Sequence, residues 1–269
     1  MKKFNTIGLF IMGIAMISFM FSCGLKKKAE SAMEDLEEAV EEVVEEVAAN
    51  TLTQEEIDDG WVLLFDGQTS EGWRGWNKET FPEEGWVIED GTLHCLETGT
   101  GEAGLGGDII YDKIFSNFTL KLDWKIGEGG NSGIFYLAQE IPGWQIWKTA
   151  PEMQILDNER HLDAQLGKDG NRQAGSLYDL VPAVPQNAKP AGEWNTVEIM
   201  VYQGTVVHRM NGENVLEYHL WTDDWKDMIK DSKFPEYNPD WADVAKEGYI
   251  GLQDHGNDVW FRNIKIREM

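Results

Sequence analysis

The stretch Phe118-Thr-Leu-Lys-Leu-Asp-Trp-Lys-Ile126 decides the fold class of this 269-residue chain. Every even position in it is apolar and every odd position is polar. Such alternation is typical of an antiparallel strand that buries one face. Val197, Ile199 and Val201 repeat the pattern beside Glu198. The sequence therefore predicts antiparallel β-structure.

Tight turns separate further alternating segments. Asn211-Gly212 supplies the positive φ angles of a type I′ hairpin turn. Glu89-Asp-Gly91 provides a second turn of the same kind. Near the C-terminus the apolar alternation slips by one residue, which predicts a β-bulge at Asn263.

Helices are few in the predicted fold. The pattern indicates roughly eleven or twelve strands of ordinary length. Short helical pieces are expected only near Asp223–Lys230 and Asp240–Lys246. No helix alternates with the strands, which excludes a parallel α/β sheet, and the absence of a repeat disfavours a propeller. An all-β jelly-roll sandwich of two stacked antiparallel sheets fits best.

The net charge of the chain limits the classes of ligand that it can bind. The formal net charge is −25, and nucleic acid binding needs clustered Lys and Arg. Nucleic acid is therefore excluded as a ligand. The 12 Trp residues indicate aromatic surfaces as well as an aromatic core.

The N-terminus is predicted to be a signal peptide, residues 1–23. Lys2-Lys3 precedes an apolar run from Ile7 to Phe21, which is short for a membrane-spanning helix. Ser22-Cys23 follows and resembles the lipobox of bacterial lipoproteins, although the two residues before Ser22 are unusual for it. The resemblance implies diacylation of Cys23, so that the membrane is contacted through a lipid anchor only. A plain secreted protein and an anchored helix are the alternatives.

Residues 24–57 are predicted to form an acidic stalk. The segment from Glu34 to Val47 holds eight acidic residues and no basic one. Apolar residues fall at helical spacing within it, but mutual repulsion of the carboxylates makes an isolated helix marginal. A spacer is the preferred interpretation, which leaves 58–269 as the β-sandwich catalytic domain.

Chemistry is predicted on the segment Glu152-Met-Gln-Ile-Leu-Asp157. On a regular strand Glu152 and Gln154 share one face, and a bulge near Leu156 would bring Asp157 onto it as well. A carboxylate buried among such neighbours has a shifted pKa and can act as acid or base. A strand face open to solvent is the alternative interpretation.

Two loops add candidates. His255 lies at the end of a predicted strand, where loops often carry function, and histidine is the side chain best suited to proton transfer near neutral pH. A surface histidine without function is the alternative. Asn131 lies in a glycine-rich turn, where the backbone can approach a ligand closely.

The sequence offers aromatic contacts for a sugar and no clear ligand set for a metal ion. Trp144 and Trp147 lie in a loop rich in turn residues, and indole faces stack well on sugar rings. The five histidines show no close pairing, so no metal site is predicted. Asp163, Asp169 and Asn171 could hold Ca²⁺, but a solvated loop is preferred. No cofactor is evident, and a divalent cation is not excluded.

Several motifs together resemble the 3-keto-disaccharide hydrolase domain family, over about residues 58–269. They are Gly60-Trp-Val-Leu-Leu-Phe-Asp-Gly67, Asn131-Ser-Gly-Ile-Phe135, Glu152-Met-Gln-Ile-Leu-Asp157, Gly192-Glu-Trp-Asn195 and Gly251-Leu-Gln-Asp-His-Gly256. The resemblance implies a concanavalin A-like jelly roll that acts on sugars oxidised at C3. Members are often lipoproteins of Bacteroidetes-type bacteria, which implies a periplasmic or outer-membrane location in a Gram-negative cell envelope.

Glu152-x-Gln154-x-x-Asp157 is also similar to the Glu-x-Asp-x-x-Glu strand of laminarinase-type glucanases. In this chain the middle residue is an amide and the last carboxylate is shorter. Both differences disfavour a retaining double displacement, which needs two carboxyl groups about 5–5.5 Å apart.

A 3-keto sugar offers an elimination route, because the ketone acidifies C2–H. This hypothesis makes Glu152 the general base and His255 its acid or enolate-stabilising partner. Gln154 and Asn131 would be donors, and Asp157 would orient or tune the others. The remaining predicted sugar contacts are Gln253, Tyr178, Trp144 and Trp147.

Such a substrate implies a sugar 3-dehydrogenase upstream. The alternatives are a carbohydrate-binding module without turnover and a conventional glycoside hydrolase acting on unoxidised glucans.

Overall fold

The computed structural model describes residues 48–99 and 104–269. The predicted signal peptide, the predicted lipidation site Cys23 and the acidic stretch up to residue 47 lie outside the described residues. The compact unit of the β-domain begins at Ala49, before the predicted domain start at residue 58. Asn50 explains the earlier start, since its backbone N–H donates to Asn263 Oδ1 at 2.6 Å and its side-chain amide donates to the Gly91 carbonyl at 2.8 Å.

The described residues form thirteen strands. They are β1 Val62–Leu63, β2 Trp73–Gly75, β3 Trp86–Glu89, β4 Thr92–Cys95, β5 Ile109–Phe115, β6 Phe118–Ile126, β7 Asn131–Ala138, β8 Glu152–Leu156, β9 Asn195–Tyr202, β10 Thr205–Met210, β11 Glu213–His219, β12 Gly248–Leu252 and β13 Val259–Glu268. Two short α-helices accompany them, α1 Gln54–Asp58 and α2 Asp223–Lys230, together with 3-10 turns at Ile146–Lys148, Leu162–Gln165 and Phe234–Glu236.

The strands build two antiparallel sheets. The larger has eight strands in the order β11-β10-β9-β6-β13-β4-β3, with β1 beside β13, and the smaller has five in the order β2-β5-β12-β7-β8. One hydrophobic core lies between the sheets, with Leu120 and Trp124 of β6 on one side and Ile134 and Met153 on the other. The predicted jelly-roll β-sandwich is thereby confirmed.

Local predictions fare unevenly. Asn211 and Gly212 have φ angles of 51° and 87°, as a type I′ turn requires. The bulge near Asn263 is confirmed by a register shift between Arg262 and Lys265. The helix α2 is confirmed, and Thr222 caps it by accepting a hydrogen bond from the backbone N–H of Trp225.

The predicted helix at Asp240–Lys246 is wrong. The segment consists of turns, with the Trp241 indole donating a hydrogen bond to the Trp147 carbonyl on a distant loop at 2.9 Å. This tertiary contact fixes the segment in a conformation that local propensity does not predict. In the described part of the chain, neither helix has the length and apolar character needed to cross a membrane.

Candidate active site on the outer face of the five-stranded sheet

Three neighbouring strands form the floor of the site. Leu252 of β12 pairs with Ile134 of β7, and Ile134 pairs with Met153 of β8; all three side chains lie in the core between the sheets. Because strand side chains alternate, the following positions face outward. Gln253 and Gln154 occupy these outward positions, on either side of Gly133.

Gly133 leaves space for a carboxyl group. A Cβ atom at this position would lie 2.2 Å from Glu152 Oε1, so the Glu152 side chain extends over the glycine backbone. The carboxyl group therefore lies between the two glutamine positions. Only glycine permits this approach, which explains its place in the middle of a buried strand.

A pocket of about 220 Å³ opens above this floor. Its lining comprises seven of the predicted site residues and three that the sequence did not reveal: Asn131, Trp147, Glu152, Gln154, Tyr178, Gln253 and His255, with Lys233, Phe234 and Tyr237. The volume is below the roughly 300–1,000 Å³ typical of sites for drug-sized ligands. It suits one small ring better than an extended chain.

Glu152 is the buried carboxyl group of this pocket, with 7% of its surface exposed. Burial raises its pKa to about 8, and the charges of Asp108 and Asp163 act in the same direction while Lys233 opposes them. No hydrogen bond from the described residues contributes to the shift. An unpaired carboxyl group of this kind is suited to accept and return a proton near neutral pH.

The amides around Glu152 also lack partners. Seven buried side-chain nitrogen and oxygen atoms of the described residues make no hydrogen bond, and four of them lie here: Asn131 Oδ1, Gln154 Oε1, Gln154 Nε2 and Gln253 Oε1. Buried polar atoms in proteins are nearly always paired. Their concentration in one pocket indicates that a polar ligand supplies the missing partners.

His255 lies on the pocket rim beside a second histidine. The His161 and His255 rings meet edge to face with centroids 6.3 Å apart. His161 Nδ1 accepts a hydrogen bond from the Asp163 backbone N–H at 3.2 Å. Burial and the nearby His255 lower the pKa of His161. The pair thus combines one pocket-lining imidazole with one that is held mainly neutral.

The structure does not place Asp157 in the pocket, and the bulge predicted near Leu156 is absent. Pairing with β7 runs without a shift through Leu156, so regular alternation turns Asp157 away. Its carboxylate instead accepts hydrogen bonds from the backbone N–H groups of Gly129 at 2.8 Å and Glu159 at 3.1 Å. Burial raises the Asp157 pKa, but these bonds and Arg160 outweigh it, and the net pKa is lowered. Asp157 therefore closes the turn before β7.

Of the two loop tryptophans, only Trp147 lines the pocket. Trp147 lines the pocket and packs edge to face on Tyr237, with centroids 4.9 Å apart. Trp144 is not among the lining residues; its carbonyl accepts hydrogen bonds from the Trp76 indole at 2.6 Å and from the Asn77 amide at 3.2 Å. Its backbone holds the loop, and the predicted sugar contact of Trp144 has no support from the pocket geometry.

Lys233, Phe234 and Tyr237 were missed because they lie in an irregular segment after α2. Phe234 stacks on Trp241 at a centroid distance of 4.2 Å, which fixes the segment over the outer face of the sheet. The density of aromatic residues in this part of the sequence is the signal that could have pointed to it.

The loop that holds Asp163, Asp169 and Asn171, for which calcium was the less favoured interpretation, makes contacts within the protein. Asp163 binds Arg172 at 2.8 Å, and Asn171 Oδ1 accepts a hydrogen bond from the Lys168 backbone N–H at 2.8 Å. Residues 48–99 and 104–269 contain no cluster of three or more His, Cys, Asp or Glu side chains that could hold a metal ion.

One buried carboxyl group among unpaired amides, in a ring-sized pocket on a β-sandwich, is the arrangement expected of a protein that binds a small polar ligand. Residues 60–267 match the 3-keto-alpha-glucoside-1,2-lyase-like domain, and the chain belongs to this family.

Similar proteins come from species of Bacteroides and Parabacteroides. The chain is 49% identical to the 3-keto-disaccharide hydrolase of Bacteroides thetaiotaomicron, over 92% of this chain and 93% of that protein. Two crystal structures of putative glycosyl hydrolases from Parabacteroides distasonis are also similar. The first has 32% identity and a TM-score of 0.72, over 82% of this chain and 99% of the other. The second has 29% identity and a TM-score of 0.60, over 78% of this chain and 99% of the other.

Proposed function

We propose that this protein cleaves the bond between C1 and the aglycone oxygen of 3-keto-glycosides, 3-keto-disaccharides among them. One observation carries the proposal: Glu152 is a buried, unpaired carboxyl group with a pKa raised by burial, placed over Gly133 between amides that lack partners. Membership of the lyase-like family and the name of the Bacteroides relative support the same substrate class.

Glu152 begins the reaction as general base. Its carboxylate takes the proton from C2, and the electrons of that C–H bond form an enolate with negative charge on the C3 oxygen. The ketone makes this proton far more acidic than any C–H of an unoxidised sugar. A carboxylate with a pKa of about 8 is a stronger base than an ordinary glutamate, which favours the transfer.

The enolate then expels the substituent at C1. Its electrons form the C1–C2 double bond, the C1–O bond breaks, and His255 supplies a proton to the departing oxygen. The products are an unsaturated 3-keto sugar and a free alcohol. Addition of water across the new double bond completes a net hydrolysis, so elimination and hydrolysis share their first steps.

The free amide atoms fit the rest of the sugar ring. Asn131 Oδ1, Gln154 Oε1 and Gln253 Oε1 are acceptors for ring hydroxyl groups, while Gln154 Nε2 is a donor for an oxygen without hydrogen, as in the ketone. A site built to pair such groups rejects analogues that leave them unpaired. Trp147 and Tyr237 provide an aromatic wall beside the ring.

A conventional retaining glycosidase is less well supported. That mechanism needs a second carboxyl group about 5–5.5 Å from the first. Among the described residues that line the pocket, Glu152 is the one carboxylic acid. Asp108 and Asp163 influence its pKa from outside the lining.

Matched substrates test the proposal. A glucoside and its 3-keto derivative, bearing the same aglycone, are incubated with the wild-type protein and with Glu152→Gln. We expect release of the aglycone from the 3-keto compound by the wild type alone. Cleavage of the unoxidised glucoside would favour the conventional hydrolase. Retention on immobilised glycan without any cleavage would favour a carbohydrate-binding module.

The cellular setting is part of the proposal. Ser22-Cys23 supports a lipid anchor at Cys23, which would be the sole attachment to a membrane of the Gram-negative envelope. A sugar 3-dehydrogenase would supply the ketone, and the route assigned to Glu152 and His255 uses no cofactor. Incorporation of a labelled fatty acid into the wild type and its loss in Cys23→Ser would test the anchor. Activity after treatment with a chelator would test the absence of a metal requirement.

A further inference from the structure

Lys233 brings a positive charge to the pocket that the route through Glu152 and His255 does not yet use. It is the one Lys or Arg among the described residues that line the pocket. Its ammonium group lies over the Tyr178 ring, 4.4 Å from the centroid. It also interacts electrostatically with Glu152, because it opposes the upward shift of the Glu152 pKa. Lys233 and Glu152 therefore face the same small volume.

A closed ring of side chains holds this lysine. Lys233 Nζ donates to Tyr178 Oη at 3.4 Å and pairs with Asp179 Oδ2 at 3.2 Å. Asp179 also pairs with Arg172 at 2.5 Å, and Arg172 pairs with Asp163 at 2.8 Å. Tyr178 donates to the second oxygen of Asp163 at 3.0 Å, which completes the ring.

The ring fixes the direction of each hydrogen bond. The Tyr178 hydroxyl gives its hydrogen to Asp163, so towards Lys233 it acts as an acceptor. Two carboxylates balance two cations, and all four are at least half-buried. A surface ion pair contributes little on its own, whereas a network with fixed geometry can orient a group for catalysis.

The chemistry of the pocket calls for such a cation. Removal of the C2 proton places negative charge on the C3 oxygen, and preorganised donors aimed at developing charge are a major source of catalysis. Gln154 Nε2 is one free donor, but it is neutral. An ammonium group in a poorly solvated pocket stabilises an enolate oxygen more strongly than an amide does.

We propose that Lys233 is a catalytic residue that stabilises the enolate oxygen at C3, and that Asp179 is its positioning residue. The proposal rests on the function proposed above. The Lys233 ammonium group donates a hydrogen bond to the ketone oxygen and keeps its proton, while the C2 proton goes to Glu152. Neither the elimination nor the addition of water changes the charge of Lys233.

The test isolates the enolisation step. The probe is 3-keto-1,5-anhydroglucitol, which carries hydrogen in place of the aglycone oxygen at C1, in D₂O. Exchange of the C2 hydrogen is followed by NMR. We expect exchange in the wild type, since enolisation requires no protonation of a leaving oxygen. Lys233→Met should exchange about 10²–10³-fold more slowly, which is the range for loss of one oxyanion donor. Lys233→Arg should retain part of the rate.

Controls separate the two proposals. Lys113→Met removes an exposed lysine that pairs with Glu268, away from the pocket lining, and should exchange like the wild type. Wild-type exchange by Lys233→Met, with Glu152→Gln inactive, would overturn the role of Lys233 and leave the proposed function intact. Wild-type exchange by Glu152→Gln would overturn the proposed function itself.

Variants of Asp179 allow a second measurement in which Lys233 itself is not mutated. Asp179→Asn should lower kcat for a 3-keto-glucoside about tenfold with little change in KM, and Asp179→Glu should restore part of it, because a carboxylate is what orients Lys233. A purely structural role predicts a lower melting temperature with kcat unchanged. That outcome would contradict the positioning role, even if Lys233→Met proves too unstable to assay.

Discussion

The outer faces of the two sheets differ in whether their polar side chains have partners within the protein. On the eight-stranded sheet the charges are compensated: Lys121 pairs with Glu198 at 3.2 Å, and Arg262 pairs with Asp123 at 3.3 Å. Arg262 also lies over the Trp194 ring, 4.1 Å from its centroid. These charged side chains find their partners within the protein.

At the pocket, the five-stranded sheet leaves polar groups without partners. Glu152 is buried without a hydrogen bond contributing to its pKa shift, and Gln154 has neither amide atom paired. Leaving a buried polar group unpaired costs about 1–3 kcal/mol. The comparison teaches that the pocket gives up stability to keep polar groups free, whereas the ion pairs of the other face contribute to stability.

The largest expected effect contrasts one glutamate from each face. Glu152→Gln removes the base and should lower kcat about 10³-fold, within the range for general base catalysis. Glu198→Gln breaks ion pairs with Lys121 and Arg209 on the other sheet and should leave kcat within about twofold, with a loss of roughly 0.2–1 kcal/mol in stability. Steady-state kinetics and denaturant titration measure both. Equal losses of kcat would erase the distinction between the faces.

Gly133→Ala tests the position of the carboxyl group. The new Cβ would lie 2.2 Å from Glu152 Oε1 and must displace it. A displacement of about 1 Å can cost about 10²-fold in rate, so we expect that loss in kcat. Gly75→Ala is the matched control, since its Cβ would meet only the flexible Lys78 side chain at 2.8 Å. Full activity in Gly133→Ala would show that the carboxyl group does not act from this place.

A smaller difference, in KM, is expected between variants of the two loop tryptophans beside the five-stranded sheet. Trp147 lines the pocket and Trp144 does not. Aromatic contacts contribute about 0.5–1.5 kcal/mol, so Trp147→Ala should raise KM up to about tenfold while Trp144→Ala leaves KM within about twofold. The reverse order in measured KM would place the sugar against the outer part of the loop.

The sequence predicts the floor of the site well because strand geometry is periodic. Alternation alone places Glu152 and Gln154 of β8 on one face of the sheet. His255, which follows the end of β12, lines the same pocket. The class of fold follows from the same periodicity in β6 and from the turn residues at Asn211 and Gly212.

The periodicity of the strands does not predict the positions of residues in loops. Lys233 reaches the pocket because Phe234 stacks on Trp241, a contact that no local pattern encodes. Asp157 was expected in the site only through a bulge, and the hydrogen bond from Gly129 that holds it elsewhere depends on tertiary structure. Sequence therefore predicts which strands carry the chemistry, and packing decides which loop residues join them.

A pH profile tests how the charges around Glu152 are arranged. Asp108 precedes Ile109, which pairs with Leu252, so Asp108 lies next to Gln253 in the sheet. Its charge helps to raise the Glu152 pKa after the larger effect of burial. For the wild type, kcat/KM should rise with pH towards about 8, because the base must be ionised. Burial raises the pKa of Asp108 itself to about 7, so its charge acts on Glu152 mainly above that pH. Asp108→Asn should therefore increase kcat/KM between about pH 7 and 8 and leave it nearly unchanged at about pH 6; an unmoved limb would contradict the arrangement.

Stability should depend on pH in the opposite direction from activity. The Glu152 pKa is raised from 4.5 to about 8 in the folded protein, so folding favours the protonated form. Its contribution to stability is complete below pH 4.5 and is lost as the pH rises through about 8. Glu152→Gln cannot titrate, so its unfolding free energy should gain on that of the wild type across this window, by roughly 1.4 kcal/mol for each unit of pKa shift. Denaturant titrations of both proteins at several pH values measure the difference. A constant difference would mean that Glu152 ionises as readily in the folded protein as in the unfolded chain. Burial in the pocket would then not destabilise the ionised carboxylate.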